Sequence, residues 1–134
     1  MKAHSTRLIF LAVLQCQAAL AADAPDVQLQ IPAAFEPCLS CHAYQPDGEP
    51  LEGPSLWGVV GRRIASAEGY DYSAALKAID GTWDRATLDR FLSNPKVFAP
   101  RSSMTFGGVR DPADRTIVLD FLERLGPDTL QTRP

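Results

Sequence analysis

The chain is poor in the side chains that most often hold metals or react. Its 134 residues include three cysteines, two histidines and two methionines. Positive charge is also in deficit, with 13 Lys and Arg against 16 Asp and Glu, for a formal charge of −3. Such a surface does not suit nucleic acid or an anionic membrane. The apolar run at residues 8–14 is too short to span a bilayer, which takes roughly 20 residues. Alternation of apolar and polar residues never persists beyond a few positions, which leaves little room for strands. No internal repeat or low-complexity tract is present.

What stands at the start of the chain reads as an address. Lys2 and Arg7 precede the apolar run, and Ala19-Leu20-Ala21 supplies a small-residue cleavage site. Residues 1–22 are therefore expected to be a secretory signal, with export to the periplasm and one domain over residues 23–134. A retained anchor and an acylated Cys16 are the competing readings. The short run argues against the first and the bulky Gln15 against the second. Cleavage would remove Cys16, His4, Lys2 and Arg7. That leaves Cys38, Cys41, His42 and Met104, with 11 basic against 16 acidic residues and a charge of −5. A structural zinc site takes about four Cys or His ligands. Three remain, all within five residues.

Those three spell Cys38-Leu39-Ser40-Cys41-His42. Cysteines three apart on a helical turn share a face, and C-x-x-C-H is the pattern of covalent haem attachment, with the histidine as an iron ligand. A thioredoxin-like C-x-x-C and half of a zinc site remain alternatives for the pentapeptide alone. The surrounding chain predicts short helices and long loops. Pro32 is expected to open a brief helix that Pro37 distorts. Pro46, Gly48, Pro50, Gly53, Pro54, Gly58, Gly61 and Gly69 then predict loop, so the core must come from elsewhere, and a flat apolar macrocycle packed on both faces would supply it. A short helix is expected over residues 73–79. Another, capped by Thr82 and carrying Leu88, Phe91 and Leu92, should stop at Asn94-Pro95, with a loop over residues 96–109. The last helix should begin at Asp111 and Pro112, bury Ile117, Val118, Phe121, Leu122 and Leu125, and close with Gly126 at C′ before Pro127.

The attachment site is followed by Gly53-Pro54-Ser55-Leu56-Trp57-Gly58-Val59-Val60-Gly61-Arg62, then Gly69-Tyr70-Asp71-Tyr72, Gly81-Thr82-Trp83, Asn94-Pro95-Lys96 and Ser103-Met104-Thr105-Phe106. Over about ninety residues this resembles the class I c-type cytochromes, mitochondrial and small bacterial. The resemblance implies an all-α cytochrome c fold around one haem c, bound through Cys38 and Cys41. It implies His42 and Met104 as axial ligands, and the Pro54 carbonyl as hydrogen-bond partner of the second His42 ring nitrogen. Trp83, Tyr72 and Ser102 would reach the haem propionates, with Arg62 compensating their charge. Phe106 would cover the methionine side, and Phe121 would help the last helix cross the first. Met104 is also the strongest soft ligand left in the processed chain; Lys96 and Lys77 are weaker candidates, and a core gap-filler is its plain alternative.

Several positions depart from the family pattern. Pro37, Val97, Ser103 and Asp111 stand where it usually carries lysines, so that Lys96 and Arg110 remain of that ring among these positions. Docking is therefore expected to depend less on salt, or to use a different partner, than in the basic relatives. Phe91 replaces a tyrosine and Leu76 an asparagine on the methionine side. The first helix lacks the glycine that usually meets the last. The implied function is a monomeric one-electron carrier, not an enzyme. Its partners would be a quinol-oxidising complex or dehydrogenase as donor and a terminal oxidase or reductase as acceptor. The alternative is a haem subunit fixed within a periplasmic dehydrogenase or reductase complex.

Overall fold

The computed structural model describes residues 29–127. The expected signal segment lies outside them. A 3-10 helix, Ala33–Cys38, is followed by four α-helices: α1 Ala74–Lys77, α2 Arg85–Ser93, α3 Pro95–Phe98 and α4 Pro112–Glu123. Among the described residues the remaining regular pairing is one antiparallel bridge, Arg63 with Thr82.

The N-terminal helix is irregular for the reason its sequence gives. Pro37 lies inside it, and a proline cannot donate the amide a continuing α-helix needs. Pro32 sits at the N-cap in extended conformation, one place earlier than expected. Phe35 is fully buried, and its ring lies 4.5 Å from that of Phe121, tilted by 51°. Aromatic rings thus make the crossing of the first and last helices, without the small residue that a closer backbone approach would use.

α4 follows its start signals. Asp111 accepts from the Ala113 amide, Pro112 is the first helical residue, and Asp114 lies in the first turn. Its buried stripe is Val118, Leu119, Phe121, Leu122 and Leu125. Ile117 was expected inside but is 44% exposed. The stripe centres on Val118 and Leu122, so Ile117 falls at its margin and Leu119 takes the opposite edge. Gly126 is not among the residues with positive φ. The helix is capped at Arg124 in right-handed geometry, and the Leu125 carbonyl accepts the Gly58 amide at 2.6 Å. Gly126 lies beside Gly58, where a Cβ would make only ordinary van der Waals contact, so neither a left-handed cap nor a close approach demands glycine at this position.

α1 is capped by Ser73 and ends at Lys77, inside the span of residues 73–79 expected to be helical. α2 is capped by Asp84, whose carboxylate accepts the Thr87 amide at 2.7 Å. Thr82, the expected cap, is occupied in the bridge to Arg63. Asn94 ends α2 and its side chain immediately caps α3. Residues 95–98 are therefore helical, and the expected loop begins after them.

Candidate haem site

Three backbone hydrogen bonds set the walls of the site. Trp83 N–H donates to the Arg62 carbonyl at 2.8 Å, and Gly61 and Ile64 amides pair with the Trp83 and Gly81 carbonyls. The bridge leaves Arg63 and Thr82 exposed, while Ile64 and Trp83 are buried. Arg62 and Trp83 thereby line a common cavity of about 380 Å3. That size lies in the usual range for a cofactor pocket, roughly 300–1,000 Å3. Cys38, Cys41, His42, Pro54, Tyr72 and Met104 line it as well. Eight of the nine site residues expected from sequence therefore converge. Ser102 does not line the cavity; its hydroxyl is buried nearby in the same loop, without a hydrogen-bond partner.

The C-x-x-C-H run leaves the 3-10 helix as one further turn. Cys41 and His42 amides both donate to the Cys38 carbonyl, at 3.2 and 3.0 Å. Burial pushes the Cys38 thiol up to about 11, with the neighbouring Cys41 acting in the same direction. A redox-active dithiol depends on a lowered thiol pKa, so this environment disfavours the thioredoxin-like alternative.

His42 is held from two sides. Its Nδ1 lies 2.7 Å from the Pro54 carbonyl. Donation to that carbonyl requires the proton on Nδ1 and leaves the Nε2 lone pair for a metal. Burial lowers the pKa of the ring, which keeps it neutral at physiological pH despite the opposing pull of that carbonyl. A Cβ at Gly53 would intrude on the same ring, 2.7 Å from Nδ1. The sequence marked Gly53 as a turn-former, whereas its physical role is to let the backbone lie against the imidazole.

Arg62 is the most informative polar group. Its terminal nitrogens donate to the Ser55 carbonyl at 2.8 Å and the Trp57 carbonyl at 3.2 Å. Its Nε is buried with no partner. Desolvation lowers the guanidinium pKa, an effect that Tyr72 partly offsets. A buried donor left unmade is costly, about 1–3 kcal/mol, so a cationic group in this condition on a cavity wall suits an anionic ligand group. The Tyr72 hydroxyl accepts the Ala67 amide at 3.3 Å, and burial raises its pKa. Tyr70, which sequence reasoning did not assign to the site, also lines the cavity. It meets the Tyr72 ring edge-on at 4.9 Å and donates to the Glu52 carbonyl at 3.0 Å.

The methionine side is apolar. Leu76, Leu88, Phe91 and Leu92 are buried and line the cavity with Met104 and Phe106. Trp83, Phe91 and Phe98 form an aromatic cluster with centroids 5.0 to 5.9 Å apart. The Met104 loop is pinned at its far end. Val109 N–H donates to the Leu92 carbonyl at 2.8 Å. Gly108 has φ +96°, and a Cβ there would lie 2.8 Å from two α2 carbonyls, so glycine is required. Arg115 of α4 closes the clamp, with Nη1 on the Val109 and Arg110 carbonyls and Nε on Asp89. No sequence pattern flagged Arg115.

An apolar slot with an imidazole, a thioether, two thiols and one unsatisfied cation fits an iron porphyrin bearing vinyl and carboxylate groups. No protein-family model matches the chain. It is 38% identical over 122 residues to cytochrome c2 of Rhodomicrobium vannielii, covering 91% of this chain and 95% of that protein. It is 38% identical over 94 residues to cytochrome c-554 of Methylosinus trichosporium, covering 70% and 71%. A cytochrome c homolog of Rickettsia bellii is 44% identical over 86 residues, which is 64% of this chain and half of that longer protein. Among solved structures, cytochrome cH from Methylobacterium extorquens superposes with a TM-score of 0.63 at 38% identity, over 67% of this chain and 90% of that one.

Proposed function

The chain belongs to the class I c-type cytochromes, all-α electron carriers rather than enzymes, and from that membership we propose how its own residues hold and tune one haem c. Cys38 and Cys41 would hold the haem through thioethers, and His42, through Nε2, and Met104 would be the ligands of its iron. The observation that carries this reading is the convergence of the C-x-x-C-H turn and Met104 on one cavity, with His42 Nδ1 held by Pro54. Bound there, the haem supplies a one-electron iron couple.

The protein sets the properties of that couple. The Met104 thioether favours the reduced state relative to a second imidazole. The apolar wall of Leu76, Phe91 and Leu92 acts in the same direction, because the oxidised centre carries one more positive charge into a poorly solvating site. Arg62 Nε, on the cavity wall, would donate to a propionate oxygen, which would satisfy that buried orphan. With His42 and Met104 both as ligands, the iron would offer no place to oxygen or peroxide, and the chemistry it would supply is electron transfer.

We place the carrier in the periplasm as a monomer, between a quinol-oxidising complex or dehydrogenase and a terminal oxidase or reductase. Among the described residues no helix is long and apolar enough to cross a membrane. The experiment that tests the ligand set is the spectrum and potential of Met104→Ala, expressed with haem-attachment machinery. It should lose the long-wavelength methionine–iron band, fall in potential and admit added imidazole. An unchanged band would remove Met104 from the iron.

A further inference from the structure

One stretch of backbone touches the His42 imidazole on two sides. The Pro54 carbonyl meets its edge, 2.7 Å from Nδ1. Gly53 lies over its face, where a Cβ would sit almost equally far from the two ring nitrogens, 2.7 Å from Nδ1 and 2.8 Å from Nε2. The aim of the Nε2 lone pair therefore follows the path of residues 52–54. Four backbone groups hold that path, and each has a partner. The Gly53 amide donates to the Cys41 carbonyl at 2.8 Å, and the Gly53 carbonyl accepts the Leu51 amide at 3.0 Å. The Pro54 carbonyl accepts from His42. These three partners belong to residues 41–54 themselves. The fourth group, the Glu52 carbonyl, accepts the Tyr70 hydroxyl at 3.0 Å. Tyr70 comes from a separate loop, which Gly69 turns at φ +72° beside Pro50. The Glu52 carbonyl and the Gly53 amide are the two ends of one peptide group. Tyr70 grips one end and Cys41 the other.

We propose that the Tyr70 hydroxyl is a positioning group for His42, fixing the Glu52–Gly53 peptide and, through it, the orientation of the imidazole. The proposal rests on the haem reading above, which makes His42 an iron ligand. A carbonyl that accepts a donor polarises its peptide and strengthens the hydrogen bond given by its amide, so the two grips reinforce each other. Tyr70 is itself held in place. Its ring meets that of Tyr72 edge-on at 4.9 Å. Tyr72 is buried, and its own hydroxyl accepts the Ala67 amide. Filling the cavity wall would need only the Tyr70 ring. The aim of its hydroxyl at a carbonyl one residue from Gly53 does not follow from wall-filling.

The test variant is Tyr70→Phe, which keeps the ring and removes the O–H. The holoprotein is expressed with haem-attachment machinery, and exchange of the His42 Nδ1 proton is followed by NMR in the reduced state. The Leu122 amide, inside α4, reports general stability in the same sample. Asp71→Asn, which breaks the exposed ion pair to Lys77 in the same loop, is the control. Tyr70→Phe should speed Nδ1 exchange by about fivefold or more, with Leu122 and the control within about twofold of the unmodified protein. The haem-methyl resonances of the oxidised protein, whose spread follows the plane of the imidazole, should shift in Tyr70→Phe and not in Asp71→Asn. Unchanged Nδ1 exchange and unchanged methyl shifts would overturn the proposal, since ring packing would then suffice. Equal acceleration at Leu122 would overturn it by showing a general loss of stability. So would acceleration of the same size in Asp71→Asn, which would credit the order of the loop and not the hydroxyl. Imidazole signals without any haem shift in the unmodified holoprotein would take His42 off the iron, felling the ligand set first and the role of Tyr70 with it.

Discussion

At the scale of single residues, the site depends on how tightly the chain closes around His42. Gly53→Ala places a methyl against the imidazole, and the ring must tilt away from the Pro54 carbonyl. The expected outcome is a lower reduction potential and weaker thermal stability, read by voltammetry and circular dichroism; an unaltered potential would show that the ring tolerates the push. Leu76 and Phe91 remove two polar groups from the methionine side and are both buried. With no hydroxyl or amide there to hold a water near Met104, the methionine–iron band should persist to higher pH than in Leu76→Asn or Phe91→Tyr. A band lost at unusually mild alkaline pH in the unmodified protein would contradict this. The candidate ligands His42 and Met104 stood out in the sequence because few residues of their kind lie outside the expected signal segment. Gly53 and Tyr70 were visible as motif letters, but their physical roles required the backbone path that brings residue 53 against residue 42 and residue 70 against the cavity.

At the scale of elements, the Met104 loop is held by groups distant from it in sequence. Arg115 joins α4 to two carbonyls at the loop's end and to Asp89 of α2. Arg115→Ala leaves those carbonyls unpaired and should cost about 2 kcal/mol of folding stability. A purely structural loss would leave the ligation equilibrium alone. The clamp predicts in addition that the methionine–iron band disappears at lower pH than in the unmodified protein. α2 offers a pH test. The Thr87 amide holds the Asp84 carboxyl below its ordinary 3.8. A carboxylate with a depressed folded-state pKa stabilises fully above its unfolded value and loses that contribution as pH falls through the folded one. Asp84→Asn should therefore narrow the stability difference between neutral pH and pH below about 4, measured by urea unfolding. Helix starts were readable where a capping side chain and a proline coincide, as at Asp111-Pro112. The start of α2 was misread, because Thr82 is claimed by the bridge to Arg63 and Asp84 caps the helix instead. The helix Pro95–Phe98 was taken for loop because its cap, Asn94, is also the residue that ends the preceding helix.

At the scale of the whole molecule, the architecture is short helices drawn around a cavity that their own side chains do not fill. The N-terminal helix and α4 meet through Phe35 and Phe121, and the long connections reach inward with Pro54, Arg62, Trp83 and Met104. The predicted loop density and the need for a non-protein core were therefore two aspects of one property. The central claim, one haem bound through two sulfurs with an imidazole and a thioether on its axis, is tested most directly by visible spectroscopy of the protein from a host that attaches haem c. The account predicts a pyridine haemochrome spectrum of the two-thioether type, with one haem per chain and a methionine–iron band in the oxidised protein. A colourless product, or a haem with a vacant sixth position at neutral pH, would contradict it.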